Sequence, residues 1–269
     1  FCLATDFSDL RNRLGNILIG YTTSKKAIYA KDLKVDGAMS LLLKDAFYPN
    51  LVQSLEENPV LVHGGPFANI AHGCNSILAT KTAMSMADYV VTEAGFGSDL
   101  GAEKFLNIKC PTSGIRPSFI VLAATVRALK HSGIENLLAH IDHLKQYHVP
   151  FCVTINQFAD DTKEDIEELQ SYCESLGVSS IVTNSFVEGG NGSISLAEYI
   201  TTHLDSSNYQ PLYTSNMSVT DKVETIAKNV YSASSVVYSE VAKEKLKEIE
   251  SLGVTHFPIC MAKTPFSIS

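Results

Sequence analysis

Two stretches decide the fold prediction, FIVLAAT at residues 119–125 and PFCVTIN at residues 150–156. Each is an almost unbroken apolar run of strand length, and neither alternates between polar and apolar residues as a strand with one wet face does. Strands buried on both faces are typical of parallel sheets covered by helices. The two stretches therefore predict an α/β protein with a mostly parallel sheet and helices on both faces.

Further strands and helices are predicted along the whole chain. Apolar runs of strand length cover residues 17–20, 60–62, 89–92, 119–123, 151–155, 180–183 and 258–261. Helical patterns cover residues 38–46, 76–87, 101–107, 137–147, 163–176, 194–203, 219–230 and 240–252. Either Asp161 or Thr162 is expected to cap the helix over 163–176, and Gly177 to end it. After His203 the chain becomes polar and turn-rich, which indicates a passage toward a smaller C-terminal unit.

Composition narrows the classes of protein. The 269 residues carry a formal net charge of −8, which argues against a non-specific nucleic-acid binder. No apolar run approaches the roughly 20 residues that span a bilayer, so no membrane role is predicted. The six cysteines are scattered without a CxxC pair, a pattern typical of a reduced, cytoplasmic protein with buried thiols.

Ligands of open α/β sheets lie beyond the carboxyl ends of the strands, so the segments there are the candidate sites. Four are unusual: HGGPFANIAHG, EAGFGSDLGAEKF, NQFADDT and NSFVEGGNG. In the second of these, three glycines between Glu93 and Glu103 would let backbone N–H groups approach an anion, although an ordinary tight turn fits as well. Glu93 and Asp99 could hold a metal ion or a substrate amine; alternatively, Asp99 caps the following helix.

The other chemistry-bearing residues are open to two interpretations. His63 and His72 could ligate a metal, but no Cys or carboxylate lies at ligand spacing between them, and loop or core histidines are the default. Phe158 and Phe186 follow strand ends and could stack on a planar ligand, or belong to the core. The chain contains no GxSxG, GxGxxG or GxxxxGK[ST], so it carries no signature of a serine hydrolase, a dinucleotide-binding oxidoreductase or a phosphate loop.

Long, ordered strings of the sequence resemble the formate–tetrahydrofolate ligase (10-formyltetrahydrofolate synthetase) family. They are NLVQSLEENPVLVHGGPFANIAHGCNSILATKTA, YVVTEAGFGSDLGAEKFLNIKC, VLAATVRALK and PICMAKTPFSIS, and the resemblance runs over essentially the whole chain. It implies a one-carbon-metabolism enzyme that ligates formate to tetrahydrofolate with ATP, through formyl phosphate, to give 10-formyltetrahydrofolate, ADP and phosphate. It also implies Mg²⁺, a monovalent cation (K⁺ or NH₄⁺) and a homotetramer.

The resemblance implies a P-loop NTPase-like main domain, incomplete here, with smaller α/β units. Residues 1–133 would be part of that domain, residues 134–231 a second α/β domain carrying folate-stacking loops, and residues 232–269 the start of a third unit. The family's phosphate loop and its lysine would precede Phe1, its C-terminal portion would follow Ser269, and a longer segment would stand between Lys130 and Ile134. We expect these to belong to the complete protein; the alternative is a non-catalytic remnant that binds folate or a partner.

The resemblance also assigns residues. Gly64, Gly65, Pro66 and Phe67 would form part of the wall around the phosphate and formyl phosphate. Glu93 to Asp99 would adjoin that wall, with Gly64, Gly65, Glu93 and Asp99 counted as catalytic.

For folate, the family holds the pterin between two aromatic rings at neighbouring strand ends. These correspond to Phe158, which follows Asn156 in INQF, and to Phe186 in NSFVEGG, where the family usually has Trp. Phenylalanine keeps the stacking but loses ring area and the indole N–H. Glu188 would stand near the polar edge of the pterin, and Asn156 is counted with the substrate-binding residues.

Overall fold

The structure, a computed structural model, describes residues 1–68, 71–204, 207–263 and 268. Within them the strands are β1 (Leu18–Tyr21), β2 (Ala27–Tyr29), β3 (Asn50–Gln53), β4 (Pro59–Val62), β5 (Ile120–Ala124), β6 (Phe151–Asn156) and β7 (Ser180–Thr183). The α-helices are α1 (Phe7–Gly15), α2 (Asp36–Leu42), α3 (Ile77–Met84), α4 (Cys110–Ser113), α5 (Val126–Ser132), α6 (Ile134–Lys145), α7 (Lys163–Ser175), α8 (Ser185–Glu188), α9 (Ile194–Thr202), α10 (Val219–Tyr231) and α11 (Glu240–Ser251). Short 3₁₀ segments cover Ala30–Leu33, Asp45–Phe47 and Gly189–Ser193, and π-helical segments cover Ser98–Ala102 and Phe105–Lys109.

The parallel sheet has the order β5-β6-β7. Ile120 pairs with Phe151 at its start, and Asn156 pairs with Thr183 at its carboxyl end. Helices α5 and α6 connect β5 to β6, and α7 connects β6 to β7, as parallel strands require. The strands predicted over 119–123, 151–155 and 180–183 are confirmed, and the chain is an α/β protein.

One core lies between this sheet and its helices. Its buried residues come from β5, β6, α6, α7 and the connection to β7: Ala124, Leu137, Ile141, Val153, Ile155, Leu169, Cys173 and Val178. A second core joins the end of α6 to the π-helical segments and to residues 209–212, with Cys74, Phe105, Leu106, Cys110, Leu144, Tyr147, Val149 and Tyr209. The second core holds the glycine-rich segments against the sheet domain.

Two predicted strands belong to antiparallel hairpins and not to the parallel sheet. β1 pairs with β2, and β4 pairs with β3. The connection from β3 to β4 is a short turn in which Ser54 N–H donates to Asn58 O and Glu57 takes a left-handed φ of 65°. Such a turn can join only antiparallel neighbours. The strand predicted over 60–62 forms as part of β4, but it is not buried, since Val60 and Val62 are 40% and 50% exposed.

The predicted strands over 89–92 and 258–261 do not form in the described residues. Tyr89 and Val91 point largely into solvent, and the ladder nearest to them is a single bridge between Cys74 and Ala94. The helix predicted over 101–107 lies within a continuous helical stretch over residues 98–113, in which Ser98–Ala102 and Phe105–Lys109 are π-helical and residues 103–104 join them.

Local helix signals were more reliable. Thr162, not Asp161, caps α7: its hydroxyl accepts from Asp165 N–H, and the Asp165 carboxylate accepts from Thr162 N–H. The chain leaves this helix through Gly177 at φ 68°. Helices α10 and α11 confirm the patterns over 219–230 and 240–252. None of the helices among the described residues is long and apolar enough to cross a membrane.

Of the six cysteines, five are buried thiols: Cys2, Cys74, Cys110, Cys152 and Cys173. Burial raises the pKa of Cys74 to about 12 and that of Cys152 to about 11. These thiols are therefore protonated at neutral pH and behave as small apolar side chains, as their positions in apolar runs predicted.

Candidate functional site

The two glycine-rich segments meet through their main chains. Gly95 N–H donates to the carbonyl of Gly73 at 3.0 Å, next to the bridge between Cys74 and Ala94. The approach is so close that a Cβ on Gly101 would overlap the main-chain atoms of Gly95. The two segments therefore adjoin at Gly73 and Gly95, and glycine is required where they touch.

Gly64 and Gly65 follow β4 in different environments. Gly64 has a φ of 73°, and a Cβ there would lie 2.5 Å from Cys2 Sγ. A Cβ on Gly65 would meet nothing within 4 Å. Gly64 is thus needed by the fold, whereas a side chain at Gly65 would enter open space. Pro66 is partly buried, and Phe67 is 66% exposed beside it.

His63 is fully engaged in shaping the loop. Its Nε2 bonds to the carbonyl of Ala46 at 2.9 Å, so Nε2 carries the proton. Its Nδ1 lies 2.6 Å from Ser76 Oγ, which also accepts Ala79 N–H at the start of α3. The interpretation of His63 as a structural histidine is confirmed.

His72 is also buried, but its Nε2 has no hydrogen-bond partner among the described residues. Burial, helped by the positive charge of Lys109, lowers the pKa of His72 to about 4. The imidazole is therefore neutral at physiological pH.

Two lysines that sequence reasoning missed lie beneath these loops with no exposed surface. Lys104 Nζ donates to the carbonyls of Ala68 and Ala71, which ties the first loop to the π-helical segments. Lys109 Nζ donates to Asn75 Oδ1 at 2.6 Å and to Thr80 Oγ1 at 2.9 Å. Burial lowers the pKa of both lysines. The position of both lysines in the largely apolar string KFLNIKC was the sequence feature that could have indicated their burial.

Glu93 and Asp99 differ in exposure. Glu93 is exposed, whereas Asp99 is 4% exposed in the first turn of the π-helical segment Ser98–Ala102. The capping alternative is wrong, because the N-cap of that segment is Gly97 and no side chain caps it. Among the described residues no group of three or more His, Cys, Asp or Glu side chains could hold a metal ion.

Phe158 lies at the carboxyl end of the sheet and is half-buried. Its N–H donates to Asp161 Oδ2 at 2.8 Å, and the guanidinium of Arg127 lies 5.0 Å from its ring centroid. Arg127 also pairs with Asp160 at 3.2 Å. Asn156, the last residue of β6, is partly buried. Nothing in the sequence pointed to Arg127, because it follows a different strand.

Phe186 lies at the end of the neighbouring strand, in α8, and is 91% exposed. Glu188 ends α8 and accepts from Asn184 Nδ2 at 3.2 Å. The structure thus places Phe158 and Phe186 at adjacent strand ends, as predicted.

A family model described as formate–tetrahydrofolate ligase matches residues 1–269. The chain belongs to the formate–tetrahydrofolate ligase family. Curated members of the family that resemble it include proteins of Hyphomonas neptunium, Sphingobium sp. and Ruegeria pomeroyi, at 49%, 48% and 47% identity, each named formate–tetrahydrofolate ligase. Each alignment covers 100% of this chain and 52% of the relative.

The chain therefore spans about half the length of the formate–tetrahydrofolate ligases it matches. The alignments extend over 288 positions, more than the 269 residues of the chain, so the relatives carry additional residues within the matched region. In this chain α5 and α6 are joined by Gly133 alone, at φ 82°. That junction is where the sequence predicted a shorter connection than the family has.

Proposed function

We propose that the whole protein ligates formate to tetrahydrofolate with ATP. Formate attacks the γ-phosphate to give formyl phosphate and ADP, and the folate amine then takes the formyl group and releases phosphate. The observation that carries the proposal is the main-chain contact between Gly73 and Gly95 in a chain of this family. It makes one continuous wall of the two segments assigned to phosphate.

The wall suits a phosphate group for two reasons. A side chain at Gly65 would enter open space, so the glycine leaves room for an anion beside the loop. The ammonium groups of Lys104 and Lys109 lie behind the wall, and positive charge in a dry environment stabilises the charge of a transferring phosphoryl group. In this proposal Gly64, Gly65, Pro66 and Phe67 face formyl phosphate, with Glu93 and Asp99 beside them.

The folate would bind at the carboxyl end of the sheet. Phe158 and Phe186 would stack on the two faces of the pterin, with Asn156 and Glu188 offered to its polar edge. Arg127 covers the ring of Phe158 from one side, so a pterin would use the other side. The high exposure of Phe186 supports this role, since a ligand that stacks on the ring would remove its apolar surface from water.

Other parts of the proposal rest on the family alone. The P-loop NTPase-like fold of the main domain, the division at residues 133 and 231, the homotetramer and the cytoplasmic location are proposed from the family. Within the third unit, residues 264–267 and 269 lie outside the described residues. Mg²⁺ and a monovalent cation (K⁺ or NH₄⁺) are likewise proposed from the family.

The test is formation of 10-formyltetrahydrofolate by the whole protein, with formate, tetrahydrofolate and ATP omitted in turn. Formate labelled with ¹⁸O distinguishes the route, because attack on the γ-phosphate leaves one formate oxygen in the released phosphate. We expect product only with all three substrates and label in phosphate. Tetrahydrofolate binding without product would support the non-catalytic alternative, and product without labelled phosphate would overturn formyl phosphate.

A further inference from the structure

A buried network of polar side chains connects the second π-helical segment to the Gly97–Asp99 turn. This polar network consists of Glu103, Asn107, Tyr147, His143, Ser98 and His140. Five of the six side chains are buried, and His140 is partly buried. At one end Glu103 forms an ion pair of 2.6 Å with Lys263, and both side chains are almost completely buried.

A main-chain group sets the direction of the hydrogen bonds. Leu212 N–H can only donate, and it bonds to Asn107 Oδ1 at 2.9 Å, which identifies that atom as the oxygen. The amide nitrogen of Asn107 is then the donor to Glu103 Oε1 and to Tyr147 Oη, each at 3.0 Å. The hydroxyl of Tyr147 therefore accepts from Asn107 and has its own proton left to donate.

That proton goes to His143. Tyr147 Oη lies 3.1 Å from His143 Nε2, so Nε2 accepts and the neutral ring carries its proton on Nδ1. His143 Nδ1–H then donates to Ser98 Oγ at 2.9 Å, and the Ser98 hydroxyl donates to His140 Nδ1 at 2.7 Å. The last ring, His140, must therefore carry its proton on Nε2.

The free edge of His140 lies at the candidate site. A Cβ on Gly97 would be 3.0 Å from Cε1 and 3.6 Å from Nε2 of His140, and 2.8 Å from Asp99 Oδ1. The imidazole edge of His140 and the carboxylate of Asp99 thus lie on the same side of Gly97. The same turn is held from behind, because Tyr231 and Lys263 both donate to the carbonyl of Asp99.

We propose that His140 is a positioning residue of the candidate site. The polar network holds it as a neutral imidazole with its proton on Nε2, against the Gly97–Asp99 turn and beside the Asp99 carboxylate. There it orients the Asp99 carboxylate and holds the Gly97–Asp99 turn in a fixed position relative to the Gly73–Gly95 contact. Its effect on ligation rests on the proposed function, whereas the tautomers do not.

The electrostatics agree with two neutral rings. Burial lowers the pKa of His143 to about 3. Protonation of its Nε2 would also turn an acceptor into a donor and leave the Tyr147 hydroxyl proton without an acceptor. Burial lowers the pKa of His140 as well, against the opposing effect of Asp99.

The first test uses ¹⁵N-histidine-labelled whole protein and long-range ¹⁵N–¹H correlation spectra at neutral pH. We expect the proton on Nδ1 of His143 and on Nε2 of His140. The Nδ1–H form is the less common one in free imidazoles, which makes His143 diagnostic. The opposite tautomer at either ring, or a doubly protonated ring, would overturn the proposal.

The second test separates positioning from packing. His140→Gln can place an amide N–H near the Nε2 position, whereas the shorter amide of His140→Asn reaches only the Nδ1 position. We expect kcat for ligation to fall about 10- to 100-fold in the Asn variant with little change in KM, and to recover substantially in the Gln variant. Equal losses in both variants, or none in either, would overturn the role. If the wild type itself does not ligate, the proposed function fails, and the tautomer spectra alone decide on the network.

Discussion

The N–H of Gly95 donates to the carbonyl of Gly73 across 3.0 Å, and this bond joins two loops that are 22 residues apart in sequence. Neither loop is regular: one follows a hairpin strand and the other precedes a π-helical segment. Their contact turns two separate glycine-rich segments into a single surface. Its integrity depends on a third glycine, at position 101, behind it.

We expect Gly101→Ala to destabilise the protein by about 1–3 kcal/mol, because the added methyl group would overlap the main chain of Gly95 and the core must shift to admit it. The midpoint of urea unfolding measures the loss. Gly20→Ala is the matched control, since a Cβ there meets nothing within 4 Å. Equal midpoints for the two variants would contradict the close approach.

Gly65→Val should abolish activity and leave the stability of the protein nearly unchanged. The side chain would enter open space, so the free energy of unfolding should change by less than about 1 kcal/mol. Formyl-phosphate formation should nevertheless be lost, because the valine would block approach to the main chain. Turnover at the wild-type rate would show that the loop has only a structural role.

Phe158→Ala should weaken tetrahydrofolate binding by about 1–3 kcal/mol and leave ATP affinity nearly unchanged. The KM values for the two substrates provide the comparison. Arg127→Ala is the control, since it removes the cation–π contact but keeps the ring. An unaffected folate KM in the Phe158 variant would refute the stacking assignment.

Lys104→Met should lower the free energy of unfolding by about 1–3 kcal/mol, because the buried carbonyl of Ala68 and the partly buried carbonyl of Ala71 would lose their donor. Amide hydrogen exchange around residues 63–73 should rise at the same time, because the lysine anchors that loop. Lys81→Met, at an exposed position of α3, should do neither. Unchanged exchange in the Lys104 variant would mean that other contacts hold the loop.

Stability should fall as the pH is lowered from 7 to 5. The pKa values of His72 and His143 are lowered to about 4 and about 3 in the folded state, against about 6.5 unfolded, so the unfolded state binds more protons in this range. Each of these two histidines then lowers the free energy of unfolding by about 1.4 kcal/mol per pH unit below 6.5, or by about 2 kcal/mol at pH 5.

Urea unfolding at several pH values tests this. His143→Gln should reduce the pH slope, while replacement of the exposed His131 should not. A stability independent of pH between 7 and 5 would show that both rings become protonated in the folded protein at no cost.

Local patterns allowed a good part of the fold to be predicted. The sheet strands β5, β6 and β7 were evident from apolar runs, and α7, α10 and α11 from periodicity and caps. The runs at residues 17–20 and 60–62 do form strands, but in antiparallel hairpins outside the parallel sheet, because a short apolar run does not determine which neighbour it pairs with. The strand pattern failed at 89–92 and 258–261 because extended backbone needs a partner strand, and the described residues supply none.

The sequence by itself determined the family, the glycine-rich segments and the aromatic residues at adjacent strand ends, because each is written in contiguous residues. The tertiary structure alone decided which groups meet at these places. His140 reaches Ser98 across 42 residues, Lys104 reaches Ala71 across 33, and Arg127 covers Phe158 across 31. Hydrogen bonds and ring contacts act over only a few ångströms, so partners distant in sequence are determined by packing and leave no local pattern.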